Sequence, residues 1–549
     1  MRIPDSVLMP PVHRTSVRPG PKDWAVFIAL LALATLLRIA FFNGPLGSDD
    51  LVYLGRSVQI AQGDWASATY NGALRYGFNI PAGFFIYLFG INIIAANLWP
   101  LICSVAEVAA VYFLAFRLWG RRAALYGGLI LAFMPLHVAS ATRIHADPVV
   151  AFFLTLSFFS FYFAEHYRSR WLYFLAGIAM GLVFWAKELA VVTLLAFVFY
   201  PLLWRKIETR WAYVIGGGLV MLLSHFALMN FIAGDPLHAI KVVTRQVSHS
   251  FIQGGDAAED GIWYYFNYLF LDIKHIWLAG FIATAAILFT FYRRLRSRPI
   301  NRGTAYVIFW LLALIGILSF LPVSLEPLKF VMKQSNYLTL FLAPIALLSG
   351  YLIANIKKRS SLALLVTTLG GGFFLAALEQ QAYHVFTSNS KAAVDFATRN
   401  PGIPIIGTSN NGNISAFYST LKRPRSNADH FLYINEMPHH PPRHKPSSTA
   451  AIHPAFAILD RQTMKWGKND IAFAKPPACW KIIEQLVPTG FGLGKSLTQM
   501  LSMPVSMSPE LIRKLLQPRL EQLFQPSPAA VYQVNMNDFW CEQGPPGKR

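Results

Sequence analysis

Residues 41–65 read FFNGPLGSDDLVYLGRSVQIAQGDW, and the rest of the chain is best understood outward from them. They follow an apolar run over 24–42, long enough to cross about 30 Å of hydrocarbon at about 1.5 Å per residue. Ser48-Asp49-Asp50 then opens a segment with apolar residues at Leu51, Leu54, Val58 and Ala61. That spacing predicts a helix lying along the membrane surface with two carboxylates in its first turn. The acids have two readings. Ser and Asp are favoured where a helix starts, so they are a cap; or they are site groups on one membrane face.

Further spans are expected near 98–116, 123–139, 148–165, 171–186, 189–204, 211–232, 275–292, 303–322, 336–355 and 361–378, eleven with the first. The stretch 78–97 is apolar enough to enter the bilayer. Counting it as a span would reverse the charge bias of every later loop, so it reads as an interfacial or re-entrant helix. The charges of the connecting loops alternate. One side of the membrane, with the amino-terminal tail, carries twenty Lys and Arg against Asp5, Asp23, Glu165 and Glu208. The other side, up to residue 378, carries nine cations and eleven acids. Lys and Arg mark the cytoplasmic side, which predicts amino terminus in and carboxyl terminus out. Residues 1–22 do not read as a cleavable leader, because the first apolar run is long enough to anchor and no clear small-residue cleavage site follows it.

Composition agrees with this organisation. Of 549 residues 54% are hydrophobic and 14% charged, and the mean hydropathy is +0.41; a soluble domain carries about 25% charged residues. A simple cytosolic protein is excluded. The net charge of +21 would suggest a nucleic-acid partner in a soluble chain, but here it sits mainly in the cytoplasmic loops. It is a topology signal, and no nucleic-acid partner is expected.

Beyond residue 378 the chain is Pro-rich and without a span. A helical stretch at Ala392–Thr398, a strand at Ile403–Ile406, a helix start at Asn413–Tyr418 and a strand at Phe456–Leu459 predict a small α/β domain on the outer side. The expected architecture is therefore an all-α polytopic membrane protein with surface helices and a C-terminal α/β domain. It divides into a cytoplasmic tail (1–23), a transmembrane catalytic domain (24–378) and an extracytoplasmic domain (379–549). MPHHPPRHKPSS at 437–448 reads as a linker, with metal binding by His439, His440 and His444 the other reading. Cys479 and Cys541 are candidates to pair, while Cys103 lies inside a span as a small hydrophobe. With three cysteines and no CxxC spacing, neither a disulfide scaffold nor a zinc or redox motif is indicated.

Polar residues at the outer ends of the spans are the candidates for chemistry. Thr142-Arg143-Ile144-His145-Ala146-Asp147-Pro148 places another carboxylate beside an Arg and a His; Asp147 before Pro148 also suits a plain helix start. Lys187-Glu188 falls between two spans, either an ion pair closing a helical hairpin or a cation facing a lipid phosphate. Lys329 and Lys333 precede Tyr337, and the loop 233–274 adds Lys241, Arg245 and His249.

A first span followed by Asp49-Asp50, Tyr53 and Gly63-Asp64-Trp65 resembles the protein O-mannosyltransferase and lipid A aminoarabinose transferase group (families 39 and 83) of the GT-C glycosyltransferase superfamily. Arg117-Leu118-Trp119-Gly120, Arg143 with Asp147, Ala176-Gly177, Gly181-Leu182, Lys187, Gly234-Asp235-Pro236-Leu237 and Tyr337 with Pro344 follow in the family's order over roughly 24–355. The resemblance implies a GT-C fold and transfer of a hexose or pentose from an undecaprenyl- or dolichyl-phosphate donor. It implies that Asp49 is catalytic and Asp147 a second essential acid. Two departures stand out. Asn79-Ile80-Pro81 replaces the family's Lys-Pro-Pro stretch, so the lipid-phosphate role passes to Arg75, Lys187 or Arg245, with Arg143 and Lys333 as further candidates. Asp50 stands where Glu is usual. No WWD-type motif follows the last span, which counts against an oligosaccharyltransferase.

The chemistry is coherent by itself. A polyprenyl-phosphate sugar carries a good leaving group, so what is needed is one carboxylate to take the acceptor's proton and cations to hold the departing phosphate. Asp49 is then the base, and direct displacement inverts the anomeric centre. Asp50 and Asp147 either orient that base or, with His145, hold a divalent Mg, Mn, Ca or Zn ion. The acceptor is a glycan, a lipid or a protein, and the loop-rich exported domain points to a bacterial inner membrane and a periplasmic location. Two other readings stand beside this one. A secondary transporter or lipid flippase also suits eleven spans, although ionisable groups within them are few (Arg38, Glu107, His225) and no internal repeat is visible. The third is a non-catalytic assembly protein that binds polysaccharide.

Overall fold

Pro21 starts the first helix, Pro21–Ala40, where its missing N–H and fixed φ cost nothing. Asp23 closes the turn by accepting from the Gly20 amide at 2.8 Å. The computed structural model describes residues 20–47, 49–204, 207–247, 261–326, 328–331, 333–408, 415, 431–433, 454–461, 476–486, 493–510, 513, 514, 517, 520, 528–536 and 539. Ser48, the 437–448 segment, most of Asn413–Tyr418, His249 and Cys541 lie outside these. The chain folds as two compact units, one of Met1–Phe42, Tyr53–Leu88 and Ala95–Ala376, the other of Asn43–Val52, Phe89–Ile94 and Ala377–Arg549.

The first unit is helical apart from an antiparallel pair of short strands, Pro322–Leu325 and Leu328–Phe330. Among the described residues, seven helices are long and apolar enough to cross a membrane: Pro21–Ala40, Ile93–Trp119, Asp147–Tyr167, Thr209–Ala233, Arg302–Phe320, Ser335–Asn355 and Lys358–Arg399. Large apolar side chains such as Ile28, Leu36 and Ile39 on the first of these, and Ile215, Leu223 and Phe231 on the fourth, stay exposed. That suits a hydrocarbon solvent and no aqueous one. This is a multi-pass membrane protein.

The other four expected spans are shorter or interrupted, for identifiable reasons. The run 123–139 breaks into Arg121–Phe133 and Pro135–Ser140. Pro135 pushes Met134 out of the helical region, to φ −66° and ψ 121°. The run 189–204 begins as a tight 3₁₀ turn over Glu188–Leu194 before the helix Leu195–Trp204. Arg170–Ala186 and Ala279–Leu295 are regular helices of 17 residues. The ambiguous 78–97 stretch is not one helix. Tyr76–Phe89 ends at Gly90, whose φ of +80° only glycine adopts readily, and Ile93–Trp119 begins three residues later.

Close helix contacts rest on small residues. A Cβ on Gly177 would overlap the Val214 carbonyl, and one on Gly217 that of Phe174, so the Arg170–Ala186 and Ala212–Ala233 helices meet backbone to backbone. Such contacts, more than apolar burial, hold helices together in lipid. Gly177→Val is expected to lower the thermal unfolding midpoint of the purified protein by several degrees; an unchanged midpoint would show that these helices do not meet there.

The second unit carries the α/β region. A five-stranded sheet runs in the order 431–433, 405–407, 454–459, 529–535, 481–486; the first three strands are parallel and the last two antiparallel to their neighbours. Its core is Ile406, Ala455, Ala457, Leu459, Trp480, Val534 and Phe539. The expected strands at 403–406 and 456–459 are found as Ile405–Gly407 and Pro454–Leu459. The expected helix at 392–398 is the end of Lys358–Arg399, a single helix of 42 residues. The change of composition near 379 therefore falls inside a helix, which no proline interrupts before Pro401. Cys103 is a free, buried thiol, whereas Cys479 is disulfide-bonded.

Candidate active site

Asp147 is the first residue of its helix, with Pro148 beside it in the first turn. It is 4% exposed. One oxygen, Oδ1, accepts from Lys187 Nζ at 2.7 Å, and Oδ2 lies 2.7 Å from His145 Nδ1. Backbone hydrogen bonds Arg143 N to Ser140 O and His145 N to Arg143 O shape the turn that brings His145 back toward Asp147.

Lys187 and Glu188 do not close the hairpin on each other as an ion pair. Lys187 has an extended backbone, φ −163° and ψ 110°, which sends neighbouring side chains to opposite sides. Lys187, 4% exposed, reaches Asp147 and stands 4.6 Å from the centre of the Tyr337 ring. Glu188, 6% exposed, takes Arg75 instead, with Arg75 Nε 3.4 Å from Glu188 Oε2. Arg75 also donates to the Tyr53 hydroxyl and faces the Tyr53 ring, which packs on Phe78 at 5.0 Å. Burial opposes the Arg75 charge, but Tyr53 and Glu188 more than compensate and hold the guanidinium above its usual range. Burial pushes the Glu188 carboxyl up, with Arg75 pulling against it. Two consecutive residues thus hold two buried ion pairs, each tied to a different part of the chain.

The acidic pair divides. Asp50 is buried, and its Oδ2 accepts from the backbone amides of Leu46 and, at 3.0 Å, Gly47. It therefore fastens the loop that enters the helix Asp49–Ala61, which is the capping role. Asp49 is exposed on the same first turn, four residues before Tyr53. Asp49 and Asp50 fall in the second unit; Asp147, His145, Lys187, Arg143 and Arg75 fall in the first.

The remaining candidates are spread out. Arg143 is half-buried in the turn. Lys333 is buried, its Nζ 5.5 Å from the Phe330 ring centre. Arg245 is exposed on the helix His238–Val247, whose apolar side, Ala239 and Val242, packs on Leu74, Tyr76 and Met229. Sequence reasoning missed Arg56, which is buried and donates to the Tyr76 hydroxyl at 2.9 Å. Its signal is a charge on the face of the surface helix that also carries Tyr53. Among the described residues no three His, Cys, Asp or Glu side chains stand together as a metal site. Lys187 Nζ stands at one Asp147 oxygen and His145 Nδ1 at the other.

Residues 79–228 match the family model described as dolichyl-phosphate-mannose-protein mannosyltransferase. No curated relative matches the chain by sequence. Among solved structures, ArnT from Cupriavidus metallidurans bound to undecaprenyl phosphate is similar at a TM-score of 0.54 and 14% identity, over 94% of this chain and 98% of that one. The apo state of ArnT from the same organism gives 0.53 and 16%, over 84% and 96%. The apo oligosaccharyltransferase of Archaeoglobus fulgidus gives 0.51 and 10%, over 93% and 88%. Over residues 79–228 the chain thus resembles a mannosyltransferase family, and its fold is the GT-C fold that the ArnT and oligosaccharyltransferase structures share.

Proposed function

We propose that this protein transfers a sugar from a polyprenyl-phosphate donor, undecaprenyl or dolichyl, to an acceptor hydroxyl on a glycan, lipid or protein at the outer face of the membrane, with inversion at the anomeric carbon. The observation that carries the reading is the pair of buried cations, Lys187 and Arg75, each held by its own carboxylate. Desolvated cations aimed by fixed partners are what a departing lipid phosphate needs. An ammonium is a compact charge with three donors and can serve a carboxylate and a phosphate together, while the Arg75 fork suits a phosphate bidentately. The similar ArnT structure contains undecaprenyl phosphate, which is the chemistry this reading assigns to the donor. Asp49, exposed in the first turn of its helix, is the base: it takes the acceptor proton as the new C–O bond forms and the sugar–phosphate bond breaks. Asp147 orients Lys187, and Asp50 shapes the helix start. The amino terminus is cytoplasmic, the C-terminal domain periplasmic, and the host membrane a bacterial inner membrane.

The test is reconstitution of the full chain in vesicles with a radiolabelled polyprenyl-phosphate sugar and a crude envelope fraction as acceptor. Label moving from lipid to acceptor is the expected result. Movement of the intact lipid-linked sugar across the bilayer without transfer would establish the flippase reading instead.

A further inference from the structure

A second polar cluster lies away from these groups, inside the helices of the first unit. Arg38, Ser104, Glu107, His137 and Thr155 come from four helices, Pro21–Ala40, Ile93–Trp119, Pro135–Ser140 and Asp147–Tyr167, and all are buried. Arg38 donates from Nε to Ser104 Oγ at 2.8 Å and from Nη1 to the Ala34 carbonyl at 2.7 Å. Its Nη2 lies 2.6 Å from His137 Nδ1. His137 Nε2 lies 3.1 Å from Glu107 Oε2, and Thr155 donates to Glu107 Oε1 at 2.8 Å. A guanidinium only donates, so His137 Nδ1 must accept, and the ring proton sits on Nε2 and points at Glu107. The cluster forms a continuous chain from the Arg38 cation through a neutral imidazole to the Glu107 carboxylate. Ionisable groups this deep among apolar helices are costly and mark a role.

Its place in the chain indicates which. His137 stands eight residues before His145, and Thr155 eight residues after Asp147. The cluster therefore grips both segments flanking the turn 141–146, just beyond the break that Pro135 introduces at Met134. A helix of six residues, Pro135–Ser140, is too short to hold that turn by its own hydrogen bonds. We infer that His137, held between Arg38 and Glu107, is a positioning residue that fixes the register of His145 and Asp147 against Lys187. This rests on the transferase reading for its kinetic consequence, though not for its structural one.

Two substitutions separate positioning from simple packing. His137→Gln keeps a carbonyl to accept from Arg38 and an amide to donate to Glu107; His137→Leu keeps the bulk and loses both. His137→Leu is expected to lower kcat about 10- to 100-fold, as a small misplacement of site groups does, with donor KM changed less than about threefold. His137→Gln restores kcat to within about threefold of the parent. In the full-length protein, amide hydrogen exchange over 141–147 is expected to quicken in His137→Leu and not in His137→Gln. If the leucine variant does not fold, Thr155→Val, which removes one bond at nearly constant volume, is expected to show the same faster exchange. Unchanged exchange and kcat in the leucine variant, or a glutamine variant as impaired as leucine, would overturn the inference. Should the parent protein transfer no sugar, the proposed function falls, while the exchange comparison still decides what His137 holds.

Discussion

Asp49→Asn is expected to abolish sugar transfer while the protein still inserts and purifies as a single species. The substitution keeps size and hydrogen-bonding reach and removes only the ability to take a proton. A positioned general base is worth about 10²- to 10⁴-fold. Lys187 and Arg75 would still hold the departing phosphate in this variant, so any residual transfer should lie below the parent rate by at least that factor. Asp50 is the internal control. Its carboxylate fastens the amides of Leu46 and Gly47, and an asparagine oxygen still accepts from them, so Asp50→Asn should retain much of the activity. Asp50→Ala should cost about 1 kcal/mol of stability, as the loss of a cap does. Full activity in Asp49→Asn would sink the assignment; loss of activity in both Asn variants would move the base to Asp50.

The second large effect is expected at Lys187. Lys187→Met leaves Asp147 buried without its cation, and breaking a buried pair from one side costs about 3–5 kcal/mol. The same change removes a charge from the departing phosphate, so both the unfolding midpoint and transfer should fall. Lys187→Met combined with Asp147→Asn removes both charges and should recover much of the midpoint with no recovery of transfer. A Lys187→Met variant as stable as the parent would show that the pair at 2.7 Å carries no uncompensated burial. A double variant that regains transfer would show that Lys187 serves the fold alone.

How much of this was legible beforehand differs from residue to residue. Asp147 and Lys187 stood out because charges at the ends of apolar runs are rare and expensive. Their pairing across 40 positions was not legible: the adjacency of Lys187 and Glu188 suggested an ion pair between neighbours, and the extended backbone at Lys187 sends them to separate partners. In the sequence, Glu107 and Arg38 are only two of the few ionisable groups within the spans. His137, an unremarkable residue within an apolar run, is what joins them. Span lengths were legible to within a few residues except for the last, which continues as one helix to Arg399, and where Pro135 and Gly90 break apolar runs. Those breaks turn a continuous hydropathy signal into two elements, since hydropathy does not see backbone dihedrals.

By itself, then, the sequence determined that this is a multi-pass membrane protein with acidic groups at the ends of its spans and a small α/β region at its C-terminal end. Apolar length, loop charge and strand-like apolar runs are local properties that survive in one dimension. Only the tertiary structure decided which acid is a cap and which carries an ion pair, and that Asp147, Lys187 and His145 form one cluster. It also tied the turn carrying His145 and Asp147 to a buried Arg–His–Glu chain. Each of those facts depends on side chains far apart in sequence meeting where water is excluded, and there a charge persists only beside the partner that folding brings to it.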